Sequence, residues 1–386
     1  MDVEERYLSQ FKAGKKEQYA ARMAFFVPGF AIATWAPMIP MVKEKLNLGA
    51  DVLGLLLLCI GVSAFFIMPV AGILSKRFGC KRVLQVTGIL FGFCLIALSS
   101  LPNVWLYAIC LLIVGCLIGC MEVNMNINAV AVETISQKRM MSSMHGFWSV
   151  GCFCSAGFYS LLAHLGLNVF TISIIHCIII FIIIVIFGQY FLAYKGASNE
   201  KAVAVPKGIV ILFGILACVT FLGEGAVMDW SGVFLTEAKN WDLSLAGVGY
   251  AIFSVAMMVM RLVGDKVVQF LGEEKAVVFG SLIAGCGFLC IIFIDNFYLT
   301  PLGFILLGLG TANIVPVLYT LLKHQNDMQI NAAVTAVTCM GYSGVILGPA
   351  ILGFIAQGFG IISVFYLLAF LLITQSLMAK YVFKKL

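Results

Sequence analysis

The sequence predicts an all-α integral membrane protein of twelve transmembrane helices, built as two pseudo-symmetric bundles of six. Composition is the first reason: hydrophobic residues fill 62% of the 386 positions and charged residues 11%, whereas a soluble domain carries about 25% charged residues. Run length is the second. Stretches such as 170–187 are apolar on every face and too long for strands. Lipid admits only helices or closed barrels, because every backbone N–H and C=O must be satisfied internally. The third reason is an internal repeat, set out below.

Each crossing needs about 20 apolar residues for roughly 30 Å of hydrocarbon, and the chain supplies twelve such runs. A mixed-charge segment, 1–22, shows no cleavable signal. It leads into span 1 (23–42), span 2 (52–75), span 3 (82–101), span 4 (104–129), span 5 (143–163) and span 6 (167–194), a first bundle covering 23–194. A polar linker, 195–207, is followed by span 7 (208–236), span 8 (244–264), span 9 (275–295), span 10 (298–322), span 11 (331–357) and span 12 (360–382), a second bundle within 208–386.

Lys and Arg set the expected orientation. The segments 1–22, 76–82, 133–142, 195–207, 265–275, 323–330 and the C-terminal tail hold 20 of the 24. The alternate loops hold only Lys43, Lys45 and Lys239, and Arg261 lies inside span 8. Basic loops favour the cytoplasmic side, so both termini are expected there. The net charge of +6 is spread over these loops, which argues against a nucleic-acid partner. Thirteen cysteines lie almost entirely in apolar runs. Cys116 and Cys120 at i, i+4, and Cys152 and Cys154 in a C-x-C, are read as small polarisable packing residues, so no metal is expected.

At an offset of 195 residues, Trp35 matches Trp230, Asn47 matches Asp242, Gly54 matches Gly249, and Gly146-Phe147 matches Gly341-Tyr342. Spans 4 and 10 align at an offset of 191, pairing Gly119 with Gly310 and Glu122 with Asn313. Parallel repeats of this kind are a hallmark of transporter folds.

Ionisable residues inside a bilayer are functional candidates by default. Glu122 lies about 27 Å along span 4 from the outside, hence in the cytoplasmic half, and Glu224 lies about 24 Å along span 7 from the inside, hence in the outer half. Either is a candidate proton carrier, or alternatively a structural carboxylate paired with a base. Gly223 and Gly225 are expected to loosen the helix around Glu224. Asp229, approaching the outer interface, and His145, which opens span 5 close to Glu122 if spans 4 and 5 pack as a hairpin, are further proton-coupling candidates; for His145 the alternative is a structural network at the helix start. His176, alone in the apolar run of span 6, reads as a core histidine. Arg261 reads as a structural charge balancing a carboxylate. Asn126 shares a face with Glu122, while Asn124 and Asn128 face away; one set is expected to line a path and the other to tie span 4 to a neighbour. Trp35, Trp148, Trp230, Asn124, Asn126, Asn313 and Tyr342 offer aromatic faces and amides suited to a hydroxylated solute. Each has a plainer reading as helix packing or interfacial belt.

The loop between spans 2 and 3 reads Gly72-Ile73-Leu74-Ser75-Lys76-Arg77-Phe78-Gly79-Cys80-Lys81-Arg82-Val83-Leu84. It resembles the major facilitator superfamily signature G-x-L-A-D-R-x-G-R-K-x-x-L at Gly72, Leu74, Arg77, Gly79, Lys81 and Leu84, with Lys76 in place of the usual acid. The counterpart between Gly264 and Gly272 is degenerate. Met121-Glu122-Val123-Asn124 with Met144-His145-Gly146-Phe147-Trp148-Ser149-Val150-Gly151, and Gly223-Glu224-Gly225 with Asp229-Trp230, resemble the MosC-like and YbjJ-like bacterial inner-membrane branch. The resemblance covers essentially the whole chain. It implies the major facilitator fold, alternating-access transport and the bacterial inner membrane. Span 4 lacks the early Arg of the drug antiporters, and the Gly-Pro element falls in span 11, at Gly348-Pro349.

The sequence therefore leads to a secondary transporter of a sugar-, polyol- or cyclitol-like solute, coupled to protons or to sodium, acting as a monomer without a cofactor. The competing reading is a proton-driven exporter of amphipathic or cationic compounds. A third is a receptor that has kept the fold without turnover. Neither a G-x-x-x-x-G-K-[ST] loop nor an H-E-x-x-H motif occurs, so no enzyme is expected.

Overall fold

The computed structural model describes residues 8, 10–48, 50–195, 205–242, 245 and 247–385. Most of the expected linker 195–207, and part of the segment 1–22, lies outside the described residues. The helices are α1 (Lys15–Trp35), α2 (Met38–Lys45), α3 (Ala50–Phe78), α4 (Cys80–Leu98), α5 (Val104–Ser136), α6 (Met141–His164), α7 (Val169–Phe187), α8 (Ile209–Val233), α9 (Val248–Leu271), α10 (Glu273–Phe293), α11 (Thr300–Thr311), α12 (Ile314–Leu321), α13 (Ile330–Phe359) and α14 (Ile361–Phe383). The described residues contain no strand. Asn103 caps α5 by accepting from Leu106 N–H at 3.0 Å, and Asn168 caps α7 by accepting from Thr171 N–H at 2.9 Å, each satisfying a donor the helix leaves orphaned.

Among the described residues, ten helical stretches are long and apolar enough to cross a membrane, α11 and α12 counting together as one. Neither α1 nor α9 is among them, although at 21 and 24 residues both have the length. The first opens on Lys15, Lys16 and Glu17, and the second carries Arg261, Asp265 and Lys266. Span 10 is divided between α11 and α12, with Ala312 and Asn313 between them.

The chain divides into two compact units. Unit 1 comprises Met1–Lys138, Phe147–Val205 and Gln329–Thr335; unit 2 comprises Arg139–Gly146, Pro206–Met328 and Ala336–Leu386. In unit 1, α5 lies against α3 and α4, and Gly115 lets the α3 backbone approach so closely that a Cβ there would overlap Ile60 O. In unit 2, Gly308 does the same against Phe253 O, and an aromatic cluster holds the core, with Phe234 stacked on Phe365 at 4.1 Å and Phe288 edge-on to it at 5.4 Å.

Those two glycines are one of several pairs that register the repeat. Gly79 and Gly272 both precede a helix with φ of +83° and +84°, and their N–H groups donate to Ser75 O and Val268 O. Gly151 abuts the α1 backbone at Phe26 and Phe30, as Gly344 abuts α8 at Cys218 and Leu222. Lys45 Nζ donates to Leu101 O at 2.8 Å, and Lys239 Nζ donates to Ile294 O at 3.0 Å. These pairs sit 192 to 194 residues apart. The expected offsets of 195 and 191 are thereby corrected. Trp35 and Trp230 are not equivalent, Gly146 corresponds to Cys339, and Glu122 corresponds to Val315. Glycines and aromatics recur by chance in apolar sequence, whereas backbone approach and positive φ admit only one register.

Gly79 has ψ of 148° and Gly272 has ψ of 157°, a region open essentially to glycine alone. Gly79→Ala or Gly272→Ala is expected to cost about 1–3 kcal/mol, read as a lower melting temperature of the detergent-solubilised chain. Gly157→Ala, where a Cβ meets nothing within 4 Å, is the control expected to leave it unchanged.

Candidate functional site

The signature loop is built by unit 1 alone. After Gly79 turns the chain, Cys80 N–H donates to Tyr194 O at 3.0 Å and Lys81 Nζ to Gln189 O at 2.6 Å. The Arg77 guanidinium lies 5.1 Å from the Phe78 ring centroid. Gly79 and Lys81 thus shape and anchor the loop on the segment after α7, while Arg77 packs on its own neighbour Phe78. Although its sequence is degenerate, the Gly272 turn reproduces the Gly79 backbone, because φ and not side-chain identity is what the turn demands.

Helix α5 sorts its polar residues by face. Asn128 Oδ1 accepts from Leu192 N–H at 3.0 Å, and Asn124 Nδ2 donates to Cys120 O at 2.9 Å and to Ala71 O on α3 at 3.5 Å. That face ties α5 to its neighbours. On the other face, Asn126 Nδ2 donates to Glu122 O at 2.8 Å, and Glu122 itself is buried beside Cys152 of α6. Asn126 Oδ1, Trp35 Nε1 and Trp148 Nε1 are buried without a hydrogen-bond partner among the described residues. His176 is a core residue, bonded through Nδ1 to Ile172 O at 2.9 Å and stacked on Phe30 at 5.0 Å.

Unit 2 holds a buried ion pair. Arg261 Nη2, on α9, lies 3.3 Å from Glu224 Oε1 and 3.4 Å from Oε2, on α8. The side chains are only 8% and 15% exposed. Arg261 Nε donates to Ala312 O at 3.2 Å. Pro316 explains why that carbonyl is available: proline has no N–H to give to the residue four before it, which is Ala312. The break in span 10 and the Glu224 charge are therefore satisfied by one guanidinium. Asn313, in the break, is 6% exposed, and its Oδ1 has no partner among the described residues. It lies against Gly264, where a Cβ would overlap it.

The start of α6 belongs to the same unit. Asp265 accepts from Ser142 N–H at 3.0 Å and Ser143 N–H at 3.2 Å, a carboxylate at a helix N-terminus. Arg139 pairs with Glu273 at 3.1 Å. His145 stacks on Tyr319 at 5.8 Å, and Tyr319 Oη and Thr338 Oγ1 are 2.7 Å apart. A Cβ at Gly146 would lie 3.3 Å from Arg261 Cβ, so the His145–Gly146 turn covers the arginine. Asp265, Pro316, Tyr319 and Thr338 escaped the sequence reading, though a proline inside span 10 was a visible signal of a broken helix.

Other candidates fall outside this group. Asp229 is exposed. Trp230 packs on Gly353, with its Nε1 buried and unpartnered among the described residues. Tyr342 meets Phe221 edge-on at 5.6 Å. The loosening expected from Gly223 and Gly225 does not occur: α8 is regular through both, and a Cβ would find ordinary contacts at 3.7 and 3.8 Å. The irregular turn comes later, a π-turn over Phe234–Ala238. A cavity of about 610 Å³ at the start of α8 is lined by His324, Asp327 and Lys385 and by none of the candidates.

The sequence model of the Major Facilitator Superfamily matches residues 23–294 and 213–385. An MFS-type transporter of Yersinia pestis, described as uncharacterized, is 39% identical over 95% of this chain and 96% of its own length. The membrane protein MosC of Rhizobium meliloti is 28% identical over 89% of this chain and 84% of its own. Among solved structures, the human organic anion transporter MFSD10 superposes with a TM-score of 0.76 at 13% identity, covering 95% of this chain and 99% of that one. The fucose:proton symporter FucP of E. coli gives 0.76 at 16% identity, covering 95% and 98%. At these identities the structures share the fold.

Proposed function

Since the chain belongs to the Major Facilitator Superfamily, and so is a membrane transporter and not an enzyme, we propose that it moves a small, polar, hydroxylated organic solute by alternating access, exchanging a proton at Glu224. The observation carrying this reading is the buried Glu224–Arg261 pair on α8 and α9. An ionic pair inside a membrane span is costly to maintain without a purpose. The coupling ion is a proton and not sodium on this reading, because both Glu224 oxygens already face a cation. Hydrogen-bonding groups left open in the two units support a hydroxylated solute: Trp35, Trp148 and Trp230 offer N–H donors, and Asn126 and Asn313 offer amide oxygens. On this reading Asn124, bonded to Cys120 O and Ala71 O, is a packing residue.

In this proposal α1 and α9 complete twelve spans, 23–194 and 208–386 form the two bundles, the termini are cytoplasmic, and the protein works as a monomer in a bacterial inner membrane. Export of cationic compounds is the weaker reading, since the charge of Glu224 is already balanced by Arg261. The test is the full chain in proteoliposomes under a pH gradient, assayed with glucose, myo-inositol, glucuronate and the amphipathic cation ethidium. Gradient-dependent movement of a hydroxylated solute is expected. Movement of ethidium alone would overturn the reading.

A further inference from the structure

Arg261 cannot give up its charge, since a guanidinium stays protonated at every accessible pH. That fact constrains what Glu224 can do. If Glu224 takes a proton and nothing else changes, a guanidinium is left buried at 8% exposure without a counter-ion. Breaking a buried pair in this way is strongly unfavourable, and a neutral solute offers no compensation for the proton it would accompany. A solute bringing its own negative charge does.

The geometry around Arg261 suits such a replacement. Its contact with Glu224 runs through Nη2 alone, at 3.3 and 3.4 Å, longer than the roughly 2.7–2.9 Å of a tight charge-assisted bond. Nε is anchored on Ala312 O, so the head group keeps its place when Glu224 is neutralised. Nη1 has no acceptor among the described residues, leaving donors for a second anion in the fork arrangement that suits carboxylates. Asn313, one residue beyond the anchoring carbonyl, keeps a buried unpartnered Oδ1 that can accept from a hydroxyl. Of the charged groups nearby, α9 presents Arg261 and, one turn on, Asp265, whose carboxylate is already engaged by Ser142 and Ser143 N–H; the start of α6 presents His145, and α14 presents neutral Gln375, which donates to Thr220 on α8 at 2.8 Å.

We propose that Arg261 is a substrate-recognition residue, that the solute carries a carboxylate which takes the place of Glu224 on the guanidinium, and that one proton moves with it on Glu224. Resting on the transporter reading, this narrows the substrate class to small hydroxylated acids, as in a sugar acid. The exchange balances: the solute contributes one negative charge, Glu224 gains one proton, and the buried site keeps its net charge.

The experiment is a ligand titration of the melting temperature of the purified full chain. The probes are lactate, gluconate and glucuronate, with glucose and myo-inositol as neutral counterparts, between about pH 5.5 and about pH 8. At least one carboxylate should stabilise the protein, with affinity falling by up to about tenfold per pH unit, the limit for one linked proton. Glu224→Gln should bind the same acid equally well across the range, and Glu224→Gln with Arg261→Gln should not bind it. A carboxylate response independent of pH in the wild type, or retained without Arg261, would overturn the proposal. So would stabilisation by glucose or myo-inositol with no response to any acid, an outcome that leaves the hydroxylated-solute reading standing. Silence toward all five probes counts against both.

Discussion

Glu224→Gln is expected to uncouple transport from the pH gradient while leaving exchange across the membrane intact. A proton moving with each solute can sustain about tenfold accumulation per pH unit, because one unit is worth about 1.36 kcal/mol. In proteoliposomes holding the variant, that accumulation should collapse to simple equilibration, and counterflow of preloaded solute should persist. Glutamine has the shape of the protonated acid and keeps an oxygen facing Arg261 Nη2. Glu122→Gln is the paired control. Glu122 is likewise buried, and the reading places the coupling proton at Glu224, so gradient-driven uptake is expected to persist in the Glu122 variant. Undiminished gradient-driven uptake in Glu224→Gln would remove the proton role assigned to it.

Arg261→Met is expected to be strongly destabilising. It strands Glu224 in a setting where its side chain is 15% exposed and removes the donor from Ala312 O. The loss of one partner of a buried pair costs about 3–5 kcal/mol, a large share of a total that is usually about 5–15 kcal/mol. The double change Arg261→Met with Glu224→Met should recover most of this, since replacing both charges by apolar groups of similar volume is often close to neutral. Arg261→Lys should recover less, because an ammonium cannot hold Glu224 and Ala312 O with separate, fixed donors. Melting temperatures in detergent of the wild type, Arg261→Met, Glu224→Met and the double variant form a double-mutant cycle. An additive cycle, with the double variant as unstable as the two losses combined, would mean that the pair is not an interacting unit.

Much of the fold was legible because membrane helices announce themselves one at a time. Apolar length and the Gly79 loop are local properties, and the structure places them near their expected positions; the Asn103 and Asn168 caps, equally local, emerged only with the structure. The repeat was legible in kind but not in register: its true markers, such as Gly115 with Gly308 and Lys45 with Lys239, are defined by what touches them. The candidate site shows the same division. Burial made Glu224, Glu122, Arg261 and Asn313 suspects from sequence, since ionic and amide groups in lipid need a reason. Their partners were not readable there, because an ion pair links residues 37 positions apart and depends on how α8 and α9 face one another.

The sequence by itself determined that this protein is a helical membrane transporter, because hydrophobic run length, basic loops and the signature at Gly72 to Leu84 act through local interactions with lipid and water. Only the tertiary structure decided that Arg261 answers both Glu224 and the carbonyl freed by Pro316, since a desolvated charge is satisfied by whichever partner packing brings within hydrogen-bond reach.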